Sequence, residues 1–151
     1  MSQSLCKIYL HIIFHKKTTS PSLMTEHKER LHQYIGKLAN NFGNQIICVG
    51  GTEDHVHALV MMSKSETLTH LVEEIKRNSS RWIKTLSPEY ENFSWQGGYA
   101  AFSVSQSQVD TLIKYINNQP EHHRKQSFRE EYIKLLQLYK IKYDEHFVLS
   151  D

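Results

Sequence analysis

Over residues 6–14 the even positions Cys6, Ile8, Leu10, Ile12 and Phe14 are apolar, while Lys7, Tyr9 and His11 stand at odd ones. This period of two predicts a half-buried first strand. After a loop over 16–22, the apolar positions Leu31, Tyr34, Ile35, Leu38 and Phe42 recur at helical spacing from Thr25 until Gly43, which predicts the first helix. A short β-branched run over 46–49, stopped by Gly50 and Gly51, and a second run over 55–62 read as a hairpin joined through Thr52, Glu53 and Asp54. A long helix follows, with Leu68, Leu71, Val72, Ile75, Trp82, Ile83 and Leu86 on its apolar face and Pro88 just beyond its end. Past Trp95 and the pair Gly97 and Gly98, residues 99–105 read as a fourth strand. Ser107 and Asp110 have the spacing of a capping box ahead of a third helix whose stripe is Val109, Leu112, Ile113 and Ile116. Ser127 and Glu130 repeat that spacing ahead of a terminal helix through Tyr132, Leu135, Leu136 and Tyr139, to which Tyr143 is also assigned.

Strand, helix, strand, strand, helix, strand is the order of the ferredoxin-like split βαβ sandwich, an α+β fold with two helices on one face of an antiparallel sheet. A further helix carrying Tyr115 and the terminal helix are appended to it. At 151 residues without a repeat, a low-complexity tract or a linker, the chain reads as one domain spanning 1–151. Its 39% hydrophobic and 23% charged residues, with 3 Pro and 6 Gly, exclude disordered and fibrous classes. Cys6 and Cys48 both lie in apolar runs and read as buried thiols of a reducing compartment. No apolar stretch approaches the roughly 20 residues of a membrane span, so a cytoplasmic protein is expected. A net charge of only +2 means that any nucleic-acid-binding surface must be local.

Ten histidines are the compositional peculiarity. Alternation sends His55 and His57 to one sheet face, with Cα atoms roughly 6 to 7 Å apart, where two imidazoles can converge on a cation. Alone, such a pair is more often an ordinary pair of strand histidines. Tyr115 and Gln119 lie one helical turn apart and face the same way; of the eight tyrosines, only Tyr115 has a glutamine four positions on. Arg77, Arg81 and Lys84 make a basic ridge along the second helix, to which Lys16 and Lys17 are possible additions. Asp54 has two readings, orienting a neighbouring imidazole or capping the hairpin turn. Pro120 means that the Tyr115 helix either ends or bends there, and His122 and His123 read as a solvated basic cluster with Arg124 and Lys125, with a role near the site as the alternative.

A strand with His-hydrophobe-His and a later helix with Tyr-x-x-x-Gln resemble the HUH nucleases, specifically the small single-tyrosine transposases of insertion sequences and their repeat-associated relatives. The resemblance takes in the first-strand block 7–17, the segment 50–57 (Gly-Gly-Thr-Glu-Asp-His-Val-His), the helix around 76–84, the segment 95–105 (Trp-Gln-Gly-Gly-Tyr-Ala-Ala-Phe-Ser-Val-Ser) and 115–119 (Tyr-Ile-Asn-Asn-Gln). It implies a metal-assisted transesterase on single-stranded DNA with hairpin ends, in which His55, His57 and Gln119 hold a divalent cation, Mg2+ or Mn2+, and Tyr115 is the nucleophile. It also implies a 5′-phosphotyrosine intermediate, DNA contacts from Arg77, Arg81, Lys84 and Lys17, and a homodimer. No nucleotide cofactor is expected, and no phosphate-binding Gly-rich loop is present.

Within the resemblance, an insertion-sequence transposase is preferred over a domesticated repeat-processing endonuclease. From another class, a non-catalytic RNA-recognition-type module shares this element order, but residues 55–62 carry no stacking aromatic. A zinc-dependent hydrolase lacks an obvious third His, Cys or carboxylate ligand at defined spacing. The hairpin bound, the cut sequence, the metal, the action of Tyr115 within or across a dimer and the mobility of the element are not written in the chain.

Overall fold

The computed structural model describes residues 1–151. Its elements are β1 (Tyr9–His15), α1 (Thr25–Asn41), β2 (Gln45–Gly51), β3 (His55–Met61), α2 (Leu68–Lys84), β4 (Ala100–Val104), α3 (Val109–Asn117), α4 (Gln119–His122) and α5 (Phe128–Leu138). The strands form one sheet in the order β2-β3-β1-β4, every neighbouring pair antiparallel. This is the expected ferredoxin-like α+β topology.

One face of the sheet carries the larger core. Ile12, Phe14, Val56, Ala58 and Val60 from β1 and β3 pack against Leu31 and Ile35 of α1 and Leu71, Val72, Ile75 and Ile83 of α2. Each Val, Leu, Ile or Phe among them, fully withdrawn from water, contributes about 1.5–3 kcal/mol. The Thr67 hydroxyl opens α2 by accepting from the His70 N–H, and Gly43, at φ 81°, supplies the left-handed turn that ends α1.

The second face is also covered, so β1 is not half-buried. Tyr9 and Leu59 pack under Val109 and Ile116 of α3, and Ile13, Ala100 and Phe102 under Phe128, Tyr132 and Leu136 of α5. Helix α3 lies so close to the hairpin that a Cβ on Gly50 would stand 2.6 Å from the Ile116 carbonyl oxygen. That contact brings the end of α3 beside the start of β3, where His55 and His57 sit.

Several local expectations are corrected. Strand pairing begins only at Tyr9, opposite Met61 and Val104, which leaves Cys6 and Ile8 exposed. Cys48 is half-buried, and its thiol donates to Asn117 Oδ1 at 3.3 Å. The Ser107 capping box does not form, because Gln106–Gln108 make a 3-10 turn and the Ser107 hydroxyl pairs with that of Ser105. The Ser127 box does form, its hydroxyl accepting from the Glu130 N–H at 3.1 Å. Helix α5 ends at Leu138, before Tyr143, with Lys140 at φ 56° turning the chain away. At Pro120 the first alternative holds: α3 ends at Asn117, and the proline sits in the first turn of α4, where a missing N–H costs no helical bond. No helix is long and apolar enough to cross a membrane.

Candidate active site

His55 and His57 enter one side of the sheet from alternate positions of β3, and both are completely buried. Gln119, also completely buried, arrives from the first turn of α4. Its Oε1 lies 2.9 Å from His55 Nε2, and half-buried Tyr115 projects from α3 beside it. The four residues singled out for chemistry are therefore in one place.

The centre of that place is a residue the sequence reading missed. Glu131 of α5, 2% exposed, accepts from His57 Nε2 at 3.1 Å through Oε1, and from Gln119 Nε2 at 3.0 Å and the Tyr115 hydroxyl through Oε2. Its signal was the apolar stripe Phe128, Tyr132, Leu135 and Leu136, because Glu131 stands in that stripe as its one charged member. A charge on the buried face of a helix is rare without a partner.

The supporting residues resolve two open readings. Asp54 Oδ1 accepts from His55 Nδ1 at 2.8 Å and from the Thr52 hydroxyl at 2.9 Å, so it orients the imidazole. His123 Nε2 lies 3.2 Å from Glu131 Oε1, and His122 Nε2 3.7 Å from Oε2. These two histidines turn inward instead of forming a solvated cluster. His11, on the same face of β1 and likewise missed, lies with its Nε2 2.7 Å from His57 Nδ1.

Burial dominates the protonation of the cluster. It lowers His57 to about 4, against the upward pull of Glu131, and lowers His11 to about 3, with His57 adding to the effect. Both rings are neutral at pH 7. Burial also opposes ionisation of Glu131, but the bonds from His57, Tyr115 and Gln119 outweigh it and hold the carboxyl well below the usual range. Tyr115 is pushed up, first by burial and then by its bond to the Glu131 carboxylate. In this state the phenol is held neutral.

A divalent cation fits these donors. His55, His57 and Glu131 each offer a ligand atom within 4.8 Å of the others, and Gln119 adds an amide oxygen. Asp54 Oδ1 accepts from His55 Nδ1, which directs His55 Nε2 toward Gln119 Oε1 at 2.9 Å, so both atoms are placed to serve as ligands. The Glu131 carboxylate is paired only with histidines and uncharged donors, with no Lys or Arg in reach.

The expected DNA-binding cations lie elsewhere. Arg77, Arg81 and Lys84 are exposed on α2, which packs on the opposite face of the sheet from His55 and His57, and Arg77 is paired with Glu74. The ridge is thus not beside the site. Lys16 is buried, its ammonium donating to the carbonyls of Lys17 and Ser20 at 3.3 and 2.9 Å, and Lys17 is half-buried. Nearer the site, Lys28 and Arg124 line a polar cavity with Thr52, Asp54 and His123.

The sequence model of the family described as "Transposase IS200 like" matches residues 4–119, from before β1 through Gln119. The chain belongs to the IS200-like transposase family. The ISDra2 transposase TnpA of Deinococcus radiodurans is 25% identical to this IS200-like transposase over 114 residues, 72% of this chain and 81% of the relative. Among solved structures, one described as a transposase from Deinococcus radiodurans superposes with a TM-score of 0.61 at 21% identity, covering 79% of this chain and 98% of the other. A REP-associated tyrosine transposase, solved bound to a REP hairpin, gives 0.60 at 16% identity, covering 82% and 74%. These two likenesses establish the fold. Glu131 lies outside the residues matched to the family, so the resemblance could not point to it.

Proposed function

We propose that this IS200-like transposase cleaves and rejoins single-stranded DNA at the hairpin-bearing ends of an insertion sequence, with the Tyr115 hydroxyl as nucleophile and His55, His57 and Gln119 as ligands of a divalent cation. The observation that carries the reading is convergence: three elements separated in the chain bring Tyr115, Gln119 and the two histidines around the buried Glu131 carboxylate. Glu131 joins the proposal as an anionic ligand and proton acceptor.

Magnesium or manganese at this site would act as a Lewis acid on a phosphate oxygen and offset the charge of Glu131. Tyr115 lines an open groove with Ser103, Gln108, Leu112 and Tyr139, which we assign to the unpaired strand. Glu131 Oε2 holds the hydroxyl hydrogen and takes it as Tyr115 Oη bonds to phosphorus. The bond to the 3′ oxygen breaks, that oxygen takes up the proton Glu131 accepted, relayed through water, and the product is a 5′-phosphotyrosine with a free 3′-hydroxyl. Attack by the 3′-hydroxyl of a second strand reverses these steps and releases Tyr115. The ester energy is conserved, so no nucleotide cofactor is needed.

Arg77, Arg81, Lys84 and Lys17 are proposed to hold the DNA backbone away from the cut. Hairpin recognition draws support from the REP-hairpin complex of the structural neighbour, and the same neighbour favours repeat processing as the second reading. We place the protein in the cytoplasm, acting as a homodimer of single-domain chains; light scattering at micromolar concentration tests the dimer. The function itself is tested by incubating end-labelled single-stranded hairpin ends with the protein and Mg2+ or Mn2+ on denaturing gels. Cleavage should occur with wild type and disappear in His55→Ala and His57→Ala, both of which retain hairpin binding. Unchanged cleavage in both variants would reject the site.

A further inference from the structure

Every polar contact of His57 is accounted for by two residues. Its Nε2 faces the site and Glu131, and its Nδ1 meets only His11 Nε2, at 2.7 Å. His11 sits on β1 two positions from Ile13, the register partner of His57, so the two rings are diagonal neighbours on one sheet face. Their centroids lie 5.0 Å apart with 25° between planes, so the rings meet edge to edge, in line with the nitrogen-to-nitrogen contact. His11 is 3% exposed, and the rings of Phe102 and Tyr115 lie 6.1 and 6.4 Å from it. Its ring has little room to turn.

We propose that His11 is the positioning residue for His57, holding the ring in the orientation and tautomer required for Nε2 to bind a divalent cation. The inference rests on the metal-site reading above. His55 has a carboxylate, Asp54, behind its Nδ1; His57 has an imidazole in the same role. The difference matters because Glu131 and a cation ask opposite things of His57. Bonded to Glu131, His57 carries its hydrogen on Nε2, so its Nδ1 accepts from His11 Nε2–H. Bound to a cation, Nε2 must offer a lone pair, the hydrogen must sit on Nδ1, and His11 Nε2 must accept it.

The exchange balances. His57 Nε2 loses its hydrogen to water, the hydrogen between the rings moves from His11 Nε2 to His57 Nδ1, and His11 takes one from water at Nδ1. Both rings stay neutral before and after. A carboxylate in place of His11 would serve only the second state, and an ammonium only the first. An imidazole serves both, as does the amide of a glutamine, which can present either end.

The test is calorimetric titration of the full-length protein with Mn2+ alone. Wild type should bind and His57→Ala should not; a wild type that does not bind, or a His57→Ala variant that binds equally, overturns the metal site and this inference with it. Given that pattern, His11→Phe should bind about 10–100-fold more weakly, the usual loss when a ligand's hydrogen-bond partner is removed. His11→Asn, too short to reach His57, should fall as far and keeps the test open should the phenylalanine variant misfold. His11→Gln should lie within about threefold of wild type, a rescue expected of a hydrogen bond and not of packing. Nitrogen-15 spectra with Mg2+ should show the His57 hydrogen on Nδ1, and without metal on Nε2. Wild-type Mn2+ affinity in folded His11→Phe or His11→Asn, or a His57 hydrogen that stays on Nε2 with bound Mg2+, would overturn the role of His11 and leave the metal site standing.

Discussion

The hydroxyl of Tyr115 is bonded to the carboxylate of Glu131, a residue sixteen positions further along the chain and on a different helix. The pair puts the candidate nucleophile against a buried anion, an arrangement that disfavours the phenolate as long as the negative charge stands alone. Once that charge is offset, the same oxygen is placed to take the hydrogen.

Glu131→Gln keeps the shape and removes both the charge and the acceptor. Cleavage should fall by about 10²–10⁴, the range for a positioned base, and Mn2+ affinity should fall with it, while hairpin affinity is unchanged. Gel cleavage rates and calorimetry check this. Faster cleavage by the variant would mean that Glu131 holds the site shut.

Acid should unfold the protein through its neutral histidines. His11, His32 and His57 titrate in the fold at about 3, 4 and 4, against 6.5 when unperturbed, burial being the main cause in each. Between those values the unfolded chain binds more protons than the folded one, so stability present above pH 6.5 is lost as pH falls toward 4. His57 alone accounts for about 3 kcal/mol, from its move of 6.5 to about 4. Glu131, held below its ordinary 4.5, adds a loss in the same direction at lower pH. Urea midpoints with chelator should drop clearly from pH 7 to pH 4.5, and equal midpoints would contradict the neutral, buried assignment.

The α2 ridge, proposed to hold the DNA backbone, lies away from the candidate active site. Arg81 is exposed on the far side of the sheet from His57. Arg81→Ala should weaken hairpin binding and reduce the slope of log affinity against log salt by about one, with the cleavage rate at saturating DNA unchanged. An unaltered salt dependence would remove Arg81 from the DNA interface.

Element order and the shared face of His55 and His57 were legible in the sequence, because they rest on periods that local geometry enforces; Tyr115 and Gln119 do reach one site, but from two helices, since α3 ends at Asn117 and Gln119 opens α4. What was not legible depends on tertiary approach. The side of the sheet that α2 covers decides where Arg77, Arg81 and Lys84 point, and nothing in their spacing carries that information. The odd face of β1 looked solvated because the cover supplied by α3 and α5 is distant in sequence, and so His11 passed unnoticed. Glu131 was readable in principle as a charge within an apolar stripe, but an interrupted stripe is also what a partly exposed helix shows. Cys6 illustrates the limit of alternation: the pattern continued upstream of Tyr9 where no neighbouring strand pairs with it.

Tyr115 alone of the eight tyrosines is proposed to attack DNA. Only Tyr115 reaches the carboxylate that joins His57 and Gln119, whereas Tyr132 is buried in the packing of α5 and Tyr139 donates to the Ser103 carbonyl. The decisive measurement is peptide mapping of the covalent protein–DNA adduct formed with single-stranded substrate and Mn2+, run beside Tyr115→Phe. The expected result is an adduct on Tyr115 carrying the strand 3′ of the cut, absent with chelator, absent in folded Tyr115→Phe that still binds Mn2+ and hairpin DNA, and absent with duplex, which would first have to be unpaired. An adduct on any other tyrosine, or one that persists in Tyr115→Phe, would contradict the proposal.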